Sequence, residues 1–341
     1  MKKLLNILYI TLQGAYLHLK GETISVRLKK ETKLRIPMHT LQGIVCLGRV
    51  SCSPFLMGAC GARNILISFH SEQGRFLARV QGPVSGNVLL RRQQYRTADG
   101  MLSSAVIARN IILAKLANGR NVLMRANREL SAPDPLLIQA SQQLSKLISP
   151  LKDCSDLEMI RGIEGRAAAV YFGVFNELIL QQKDQFQFHE RSRRPPLDNI
   201  NALLSFLYTL LVHDVSSALE SVGLDPAVGF LHRDRPGRPG LALDMMEEFR
   251  ACIVDRLALT LINRQQIKGS NFIRTETGAI RMSDDTRKSV ISAYQKRKQE
   301  EILHPYLGEK VAIGLLPFVQ AQLLARFLRG DLKEYPPFVW R

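Results

Sequence analysis

The spacing of apolar residues changes once along this chain, and that change limits the folds open to it. Short β-branched or alternating runs fill the front: Ile7–Leu12, Ala15–Leu19, Ile24–Leu28, Leu34–Ile36, Ile44–Leu47, Ile65–Phe69 and Arg75–Val80. A period of two places successive side chains on opposite faces, as strands do. Turn formers such as Lys20-Gly21-Glu22 and Ser71-Glu72-Gln73-Gly74 separate several of the runs. One helix interrupts them: Ser53 can cap it, Pro54 suits its first position, and Phe55-Leu56-Met57-Gly58-Ala59 is its apolar stretch. Past a linker at Gly82-Pro83-Val84-Ser85-Gly86 the period becomes helical, over Leu89–Thr97, Met101–Arg125, Pro135–Leu147, Leu157–Leu180, Ile200–Val222, Leu241–Arg264, Thr286–Glu301 and Val311–Leu328. The expected fold class is α+β: a small N-terminal β-rich domain over 1–85, then a large all-α catalytic domain over 86–341.

Length and charge narrow the function. A chain of 341 residues can bury a core in each part. Its 47 Lys+Arg against 30 Asp+Glu leave a formal charge of +17, which predicts a polyanionic partner and strong salt dependence. DNA, RNA, ribosome and an anionic membrane surface satisfy that charge equally. Apolar runs such as Leu203–Val212 are too short to span a bilayer, and the Met1-Lys2-Lys3 opening lacks a small-residue cleavage site. Five cysteines, odd in number and without C-x-x-C pairing, read as reduced core thiols. The expectation is a cytoplasmic protein with no membrane partner.

Against that basic background, three acid or imidazole positions stand out. Glu164 lies in a helix opened by the capping pattern Ser155-Asp156-Leu157-Glu158. Gly162 and Gly165 flank it; each costs about 1 kcal/mol against alanine, which suggests close approach of another backbone or of substrate. Pairing with Arg161 or Arg166 is the plainer explanation of Glu164. Asp244, Glu247 and Glu248 follow at helical spacing, placing three carboxylates on adjoining parts of one face opposite Leu243, Met246, Ile253, Leu257 and Leu261. Such crowding asks for a cation, either Mg²⁺ or Mn²⁺ or the neighbouring Arg250 and Arg256. His232 ends an apolar run and opens the basic loop Arg233-Asp234-Arg235-Pro236-Gly237-Arg238-Pro239-Gly240, which leads into the acidic helix. Imidazole with carboxylates suits Mn²⁺ better than Ca²⁺. A metal-dependent phosphoryl-transfer enzyme explains the set, and so does a non-catalytic DNA-binding scaffold whose acids balance arginines. The other six histidines read as structural.

The same stretches resemble the CRISPR-associated Cas-one family, the integrase subunit of spacer acquisition. The matching residues are Arg161-Gly162-Ile163-Glu164-Gly165, Arg193-Arg194-Pro195-Pro196-Leu197-Asp198-Asn199-Ile200-Asn201-Ala202-Leu203-Leu204-Ser205, Gly229-Phe230-Leu231-His232 and Leu243-Asp244-Met245-Met246-Glu247-Glu248-Phe249-Arg250. The opening Thr11-Leu12-Gln13-Gly14-Ala15-Tyr16-Leu17 is most similar to the subtype I-C branch. The resemblance implies Mn²⁺ or Mg²⁺ on Glu164, His232 and Glu247, with Asp244 a further active-site acid and Glu248 a neighbouring surface or ion-pair residue. It implies a transesterification in which the 3′-hydroxyl of a short DNA fragment attacks a phosphodiester at a CRISPR repeat. It also implies a homodimer joined through the β-rich domain, two of which flank a dimer of a small Cas-two partner. Arg193, Arg194, Arg233, Arg235 and Arg238 become candidate phosphate contacts. A nuclease that uses water as the nucleophile would need the same ligands.

Overall fold

The structure, a computed structural model, describes residues 7–41, 43–63, 65–72, 76–80, 82, 88–192 and 195–340. Two compact units divide it, Met1–Gly86 and Asn87–Arg341. Apart from Gly82, the expected linker lies outside the described residues, as do Arg193 and Arg194.

The N-terminal unit holds two four-stranded sheets. Strands β1 (Ile7–Ile10), β2 (Ala15–Lys20), β3 (Thr23–Leu28), β4 (Glu31–Pro37), β5 (Gly43–Leu47) and β6 (Ser51–Cys52) precede helix α1 (Pro54–Ala62), and β7 (Leu66–His70) and β8 (Phe76–Val80) follow it. One sheet runs β4-β3-β2-β6 and the other β1-β5-β7-β8. The β2–β3 hairpin closes at Gly21, whose φ of 58° is the left-handed region that glycine enters without strain. In the second sheet β1, β5 and β7 are parallel, and β8 returns antiparallel. Ser53 caps α1 as its sequence predicts, accepting from the Leu56 N–H at 3.2 Å. The core between these elements is apolar: Leu17, Ile24, Ile44, Leu56 and Ile67 are fully buried, each worth roughly 1.5–3 kcal/mol.

The second unit is built from α2 (Val88–Asp99), α3 (Met101–Glu129), α4 (Pro135–Leu151), α5 (Leu157–Gly173), α6 (Asn199–Ser221), α7 (Gly240–Phe249), α8 (Arg256–Asn263), α9 (Asp284–Gln299) and α10 (Leu316–Leu328). Two ribbons interrupt the helices, β9 (Phe272–Arg274) with β10 (Ile280–Met282) and β11 (Glu301–Leu303) with β12 (Lys310–Ala312). The helix expected from Val311 begins only at Leu316. The helix expected to reach Leu180 stops at Gly173.

Two expectations change in ways that matter. Helix α6 is 23 residues long with mean hydropathy 1.5, long and apolar enough to cross a bilayer, so the short-run argument fails for it. Its apolar window is 78% buried within the unit, which makes it a core helix of a folded domain. The single helix expected over Leu241–Arg264 is also broken, because a π-helical segment, Arg250–Asp255, joins α7 to α8. Such segments are rare and often mark functional sites.

The C-terminal segment has no ladder of its own and borrows partners from α3. Asn110 donates to the Tyr335 carbonyl (2.8 Å), Asn118 to that of Phe338 (2.9 Å) and Asn121 to that of Trp340 (2.6 Å). Trp340 N–H donates back to Asn118 (2.7 Å). Buried main-chain groups are thereby paired where regular structure is lacking.

Candidate active site

Asp244 is the hinge of the site. It is fully buried in the first turns of α7, and its carboxylate accepts the N–H groups of Phe230 (2.6 Å), Leu231 (2.9 Å) and His232 (2.9 Å). The same carboxylate meets His232 Nδ1 at 2.6 Å. Paired there, the ring leaves Nε2 for other chemistry, as metal-binding histidines oriented by a carboxylate do. Gly229 and Gly240 make the loop possible. A Cβ on Gly229 would sit 2.7 Å from the Gly240 carbonyl carbon and 2.8 Å from Asp244 Oδ2. The further acid of the sequence reading therefore stands behind His232, a positioning residue with its oxygens already engaged.

Glu164 arrives from α5. Asp156, rather than Ser155, caps that helix, accepting from Glu158 N–H at 2.9 Å. One turn before Glu164, Arg161 donates to the Leu231 carbonyl at 2.7 Å and pairs with Glu158, fastening α5 to the His232 loop. The expected partners of Glu164, Arg161 and Arg166, are not what it meets; Lys115 of α3 is. Gly162 and Gly165 face open space, so no neighbouring backbone explains them.

Glu247 lies one turn after Asp244 and is buried. Its Oε1 accepts from Arg250 at 2.6 Å, and its Oε2 stands 2.8 Å from Lys115 Nζ. Burial pushes the carboxyl upward, but Arg250 and then Lys115 outweigh it and hold its pKa at about 2. Oε2 nevertheless receives no hydrogen bond of ordinary geometry. Lys115, which the sequence reading missed, thus joins Glu164 to Glu247. No periodicity or motif distinguishes it from the other lysines of a basic chain.

Glu248 points elsewhere, correcting its reading as a surface or ion-pair residue. It is fully buried, accepting from Tyr335 Oη (2.6 Å), Gln320 (2.9 Å) and the Phe338 N–H (2.9 Å), and burial pushes its pKa up to about 8. Helix α7 therefore has no solvated acidic face; it is buried nearly all round.

Beside Glu164 and Lys115 opens a cavity of about 310 Å³, also lined by Phe172, His189, Arg191 and Arg250. His189, expected to be structural, lines this cavity. Of the candidate phosphate contacts, Arg233 turns inward, donating to the Ala98 carbonyl at 3.1 Å. Arg235 is exposed and Arg238 half-buried.

The structure thus joins Glu164 to Glu247 through one ammonium, and His232 to Asp244 directly. Among the described residues no three His, Cys, Asp or Glu side chains are close enough together to hold a metal ion. The donor set still suits one in kind: two carboxylates sharing a cation, an oxygen without a directed hydrogen bond, and an oriented imidazole.

Fold and site define a class: an α+β protein whose helical unit brings Glu164 and Glu247 to one ammonium and sets His232 against Asp244. The chain belongs to the Cas1 family, since the family described as CRISPR associated protein Cas1 matches residues 8–296. A Chlorobaculum tepidum protein named CRISPR-associated endonuclease Cas1 1 is 55% identical over the whole of both chains. Among solved structures, a casposase bound to integration product superposes with a TM-score of 0.83 at 23% identity, covering 98% of this chain and 94% of that one. A Cas6-RT-Cas1–Cas2 complex gives 0.84 at 23% identity, covering all of this chain and 36% of its counterpart. At those identities the structures speak for the fold.

Proposed function

We propose that the chain is a CRISPR adaptation integrase, a divalent-metal-dependent enzyme that joins short DNA fragments to a CRISPR repeat. The observation that carries this reading is the meeting of Glu164 and Glu247, 83 positions apart on α5 and α7, at one cation, together with the orientation of His232 by Asp244 of the same α7. Glu164, His232 and Glu247 would hold Mn²⁺ or Mg²⁺, which when bound polarises the phosphate and activates the attacking hydroxyl. The chain's own residues do the rest. Asp244 fixes the His232 ring, Arg250 keeps Glu247 ionised, and Arg191 and Arg250 line the cavity where a DNA phosphate can sit beside Glu164.

In the reaction the 3′-hydroxyl oxygen of the fragment bonds to phosphorus at the repeat edge. The bond from that phosphorus to the 3′-oxygen of the DNA flanking the repeat breaks, the attacking hydroxyl gives up its proton, and the departing oxygen takes one up. One phosphodiester replaces another, so no nucleotide triphosphate is consumed. The casposase comparison and the family favour this acceptor, and a solved relative in complex with Cas2 supports a small Cas2 partner. A homodimer joined through the β-rich unit, and DNA contacts from Arg193, Arg194, Arg235 and Arg238, complete the proposal; Arg233, held on the Ala98 carbonyl, is left out of them.

A second reading is favoured by the relatives' name, endonuclease: water replaces the 3′-hydroxyl and DNA is only cut. One experiment separates the two. Supercoiled DNA carrying a leader and repeat is incubated with the Cas2 partner, a 3′-hydroxyl fragment and Mn²⁺, comparing wild type with His232→Ala. Joined product from wild type alone is expected. Nicked DNA without joined product supports the nuclease, and joined product from both removes His232 from the site.

A further inference from the structure

Lys115 lies where a divalent ion on Glu164 and Glu247 would have to be. Its ammonium contacts Glu164 Oε1 and lies 2.8 Å from Glu247 Oε2, so the lone pairs it uses are those a metal would take. Both carboxylates are largely out of water, with side chains 29% and 6% exposed, and that of Lys115 is 16% exposed. Two such carboxylates facing each other without a cation would repel. An ammonium and a divalent ion cannot share the position. Glu247 Oε1 stays with Arg250, three residues on, so only the Lys115 end of the carboxylate has to change partner.

Lysine suits a partner that must leave. Its charge is a compact ammonium on a flexible four-carbon stem, whereas a guanidinium locks into a planar fork. It also has somewhere to go, because the cavity of about 310 Å³ beside Glu164 counts Lys115 among its lining residues. Phe172, His189, Glu190, Arg191 and Arg250 line the same space, so it offers an ammonium both a carboxylate and, once a phosphate enters beside the arginines, an anion to pair with.

We propose that Lys115 is a resident cation that holds Glu164 and Glu247 together until a divalent ion arrives, then swings into the cavity and pairs with a DNA phosphate. The proposal rests on the metal reading above. It makes metal and DNA bind cooperatively, since a phosphate in the cavity stabilises the displaced ammonium and so frees the carboxylates. No bond to carbon or phosphorus changes in this exchange; one ion pair is replaced by another.

Crystals of the full chain grown with Mn²⁺ test the exchange directly. The expected result is Mn²⁺ on Glu164, His232 and Glu247, with Lys115 Nζ out of contact with both carboxylates. Mn²⁺ on those three residues with the ammonium still bridging overturns the exchange while the metal reading stands. Mn²⁺ absent from them overturns both. Calorimetry with Mn²⁺ alone gives a second measure, comparing wild type, Lys115→Met and Glu164→Gln. Lys115→Met should bind about tenfold more tightly than wild type, because no charge has to be displaced. A short DNA duplex should tighten Mn²⁺ binding to wild type and leave the Lys115→Met affinity unchanged. Coupling to DNA that survives in Lys115→Met shows a general electrostatic effect and overturns the exchange. Equal Mn²⁺ binding by wild type and Glu164→Gln overturns the metal reading with it.

Discussion

The two units of this chain treat charge in opposite ways. Among the described residues, the β-rich unit buries no Asp, Glu, Lys or Arg; its buried polar groups are Ser25, Ser53, Ser68 and His70. The helical unit buries Asp214, Asp244, Glu247, Glu248, Asp255, Arg287 and Lys298. Burying charge is costly, and an apolar replacement is often the more stable choice. A unit that keeps seven acidic or basic side chains buried is using them to fix geometry. Glu247 and Glu248 show the principle at neighbouring positions: one faces cations and is held at about 2, the other faces Tyr335 and Gln320 and rises to about 8. The β-rich unit, with an apolar core, carries shape instead.

The largest test of that contrast is chemical. Glu164→Ala, His232→Ala and Glu247→Ala should each lower strand joining by more than about a hundredfold with DNA binding kept, and Glu247→Ala should also lower stability because it strips Arg250 of its buried partner. Asp244→Asn should cost less, roughly 10–100-fold, as expected for a group that orients a ligand. The joining assay described above measures all four. Asp244→Asn as damaging as His232→Ala would mean that Asp244 acts on substrate or metal itself.

Next comes a buried pair outside the site. Lys298 Nζ meets Asp214 Oδ2 at 2.7 Å, and Tyr294 donates to the same oxygen at 2.8 Å. Lys298→Met leaves that carboxylate buried without its cation and should destabilise the helical unit by about 3–5 kcal/mol. Adding Asp214→Leu should restore much of the loss, which urea denaturation of the two variants would show. A single variant as stable as wild type would break the claim that buried charge here fixes structure.

How much of this was legible in the sequence follows the same division. Alternation and turn residues located every strand of the β-rich unit except the two-residue β6, because each β-strand's period is set locally and Gly21 and Ser53 act on their own neighbours; the short ribbons β9–β12 were not visible in that way. Helical spacing located α2 through α6 for the same reason. The site was legible only in part. Glu164, His232 and Glu247 stood out as acids and imidazole against a basic chain. Lys115 and His189 did not, since their roles come from where α3 and the 189–191 stretch lie in space. Glu248 lies away from the surface expected for it, because helical phase alone cannot tell a solvated acid from one buried behind a C-terminal segment. The π-helical turn after Phe249 was equally invisible, as nothing local in Arg250–Asp255 announces it.

Titration sharpens the comparison further. Asp255 accepts from Tyr208 at 2.5 Å and Tyr171 at 3.1 Å, with Arg250 and Arg191 near. Burial raises its carboxyl from 3.8 to about 6, against the opposing pull of Tyr208 and Arg250. As pH rises through that window the unfolded chain loses its proton first while the folded state retains it. The folded state therefore binds more protons, and this group's contribution to stability falls with pH until it levels off above about 6. The fall is on the order of 3 kcal/mol. Stability measured from pH 4 to 7 should decline less in Asp255→Asn than in wild type; an equal decline would assign it to other groups.

The smallest effect belongs to the unit without buried charge. Ser53 is its one buried side chain seen to cap a helix, accepting from Leu56 N–H at 3.2 Å while its own N–H donates to the Leu17 carbonyl at 2.9 Å. Ser53→Ala removes only the side-chain bond, and the main-chain bond to β2 remains. The expected cost is about 1 kcal/mol, the usual worth of an N-cap. Leu17→Ala in the same core should cost about 2–5 kcal/mol, since it leaves a cavity among fully buried neighbours. If Ser53→Ala cost as much as Leu17→Ala, polar positioning would govern this unit too, and the division between a shape-bearing and a charge-bearing half would fail.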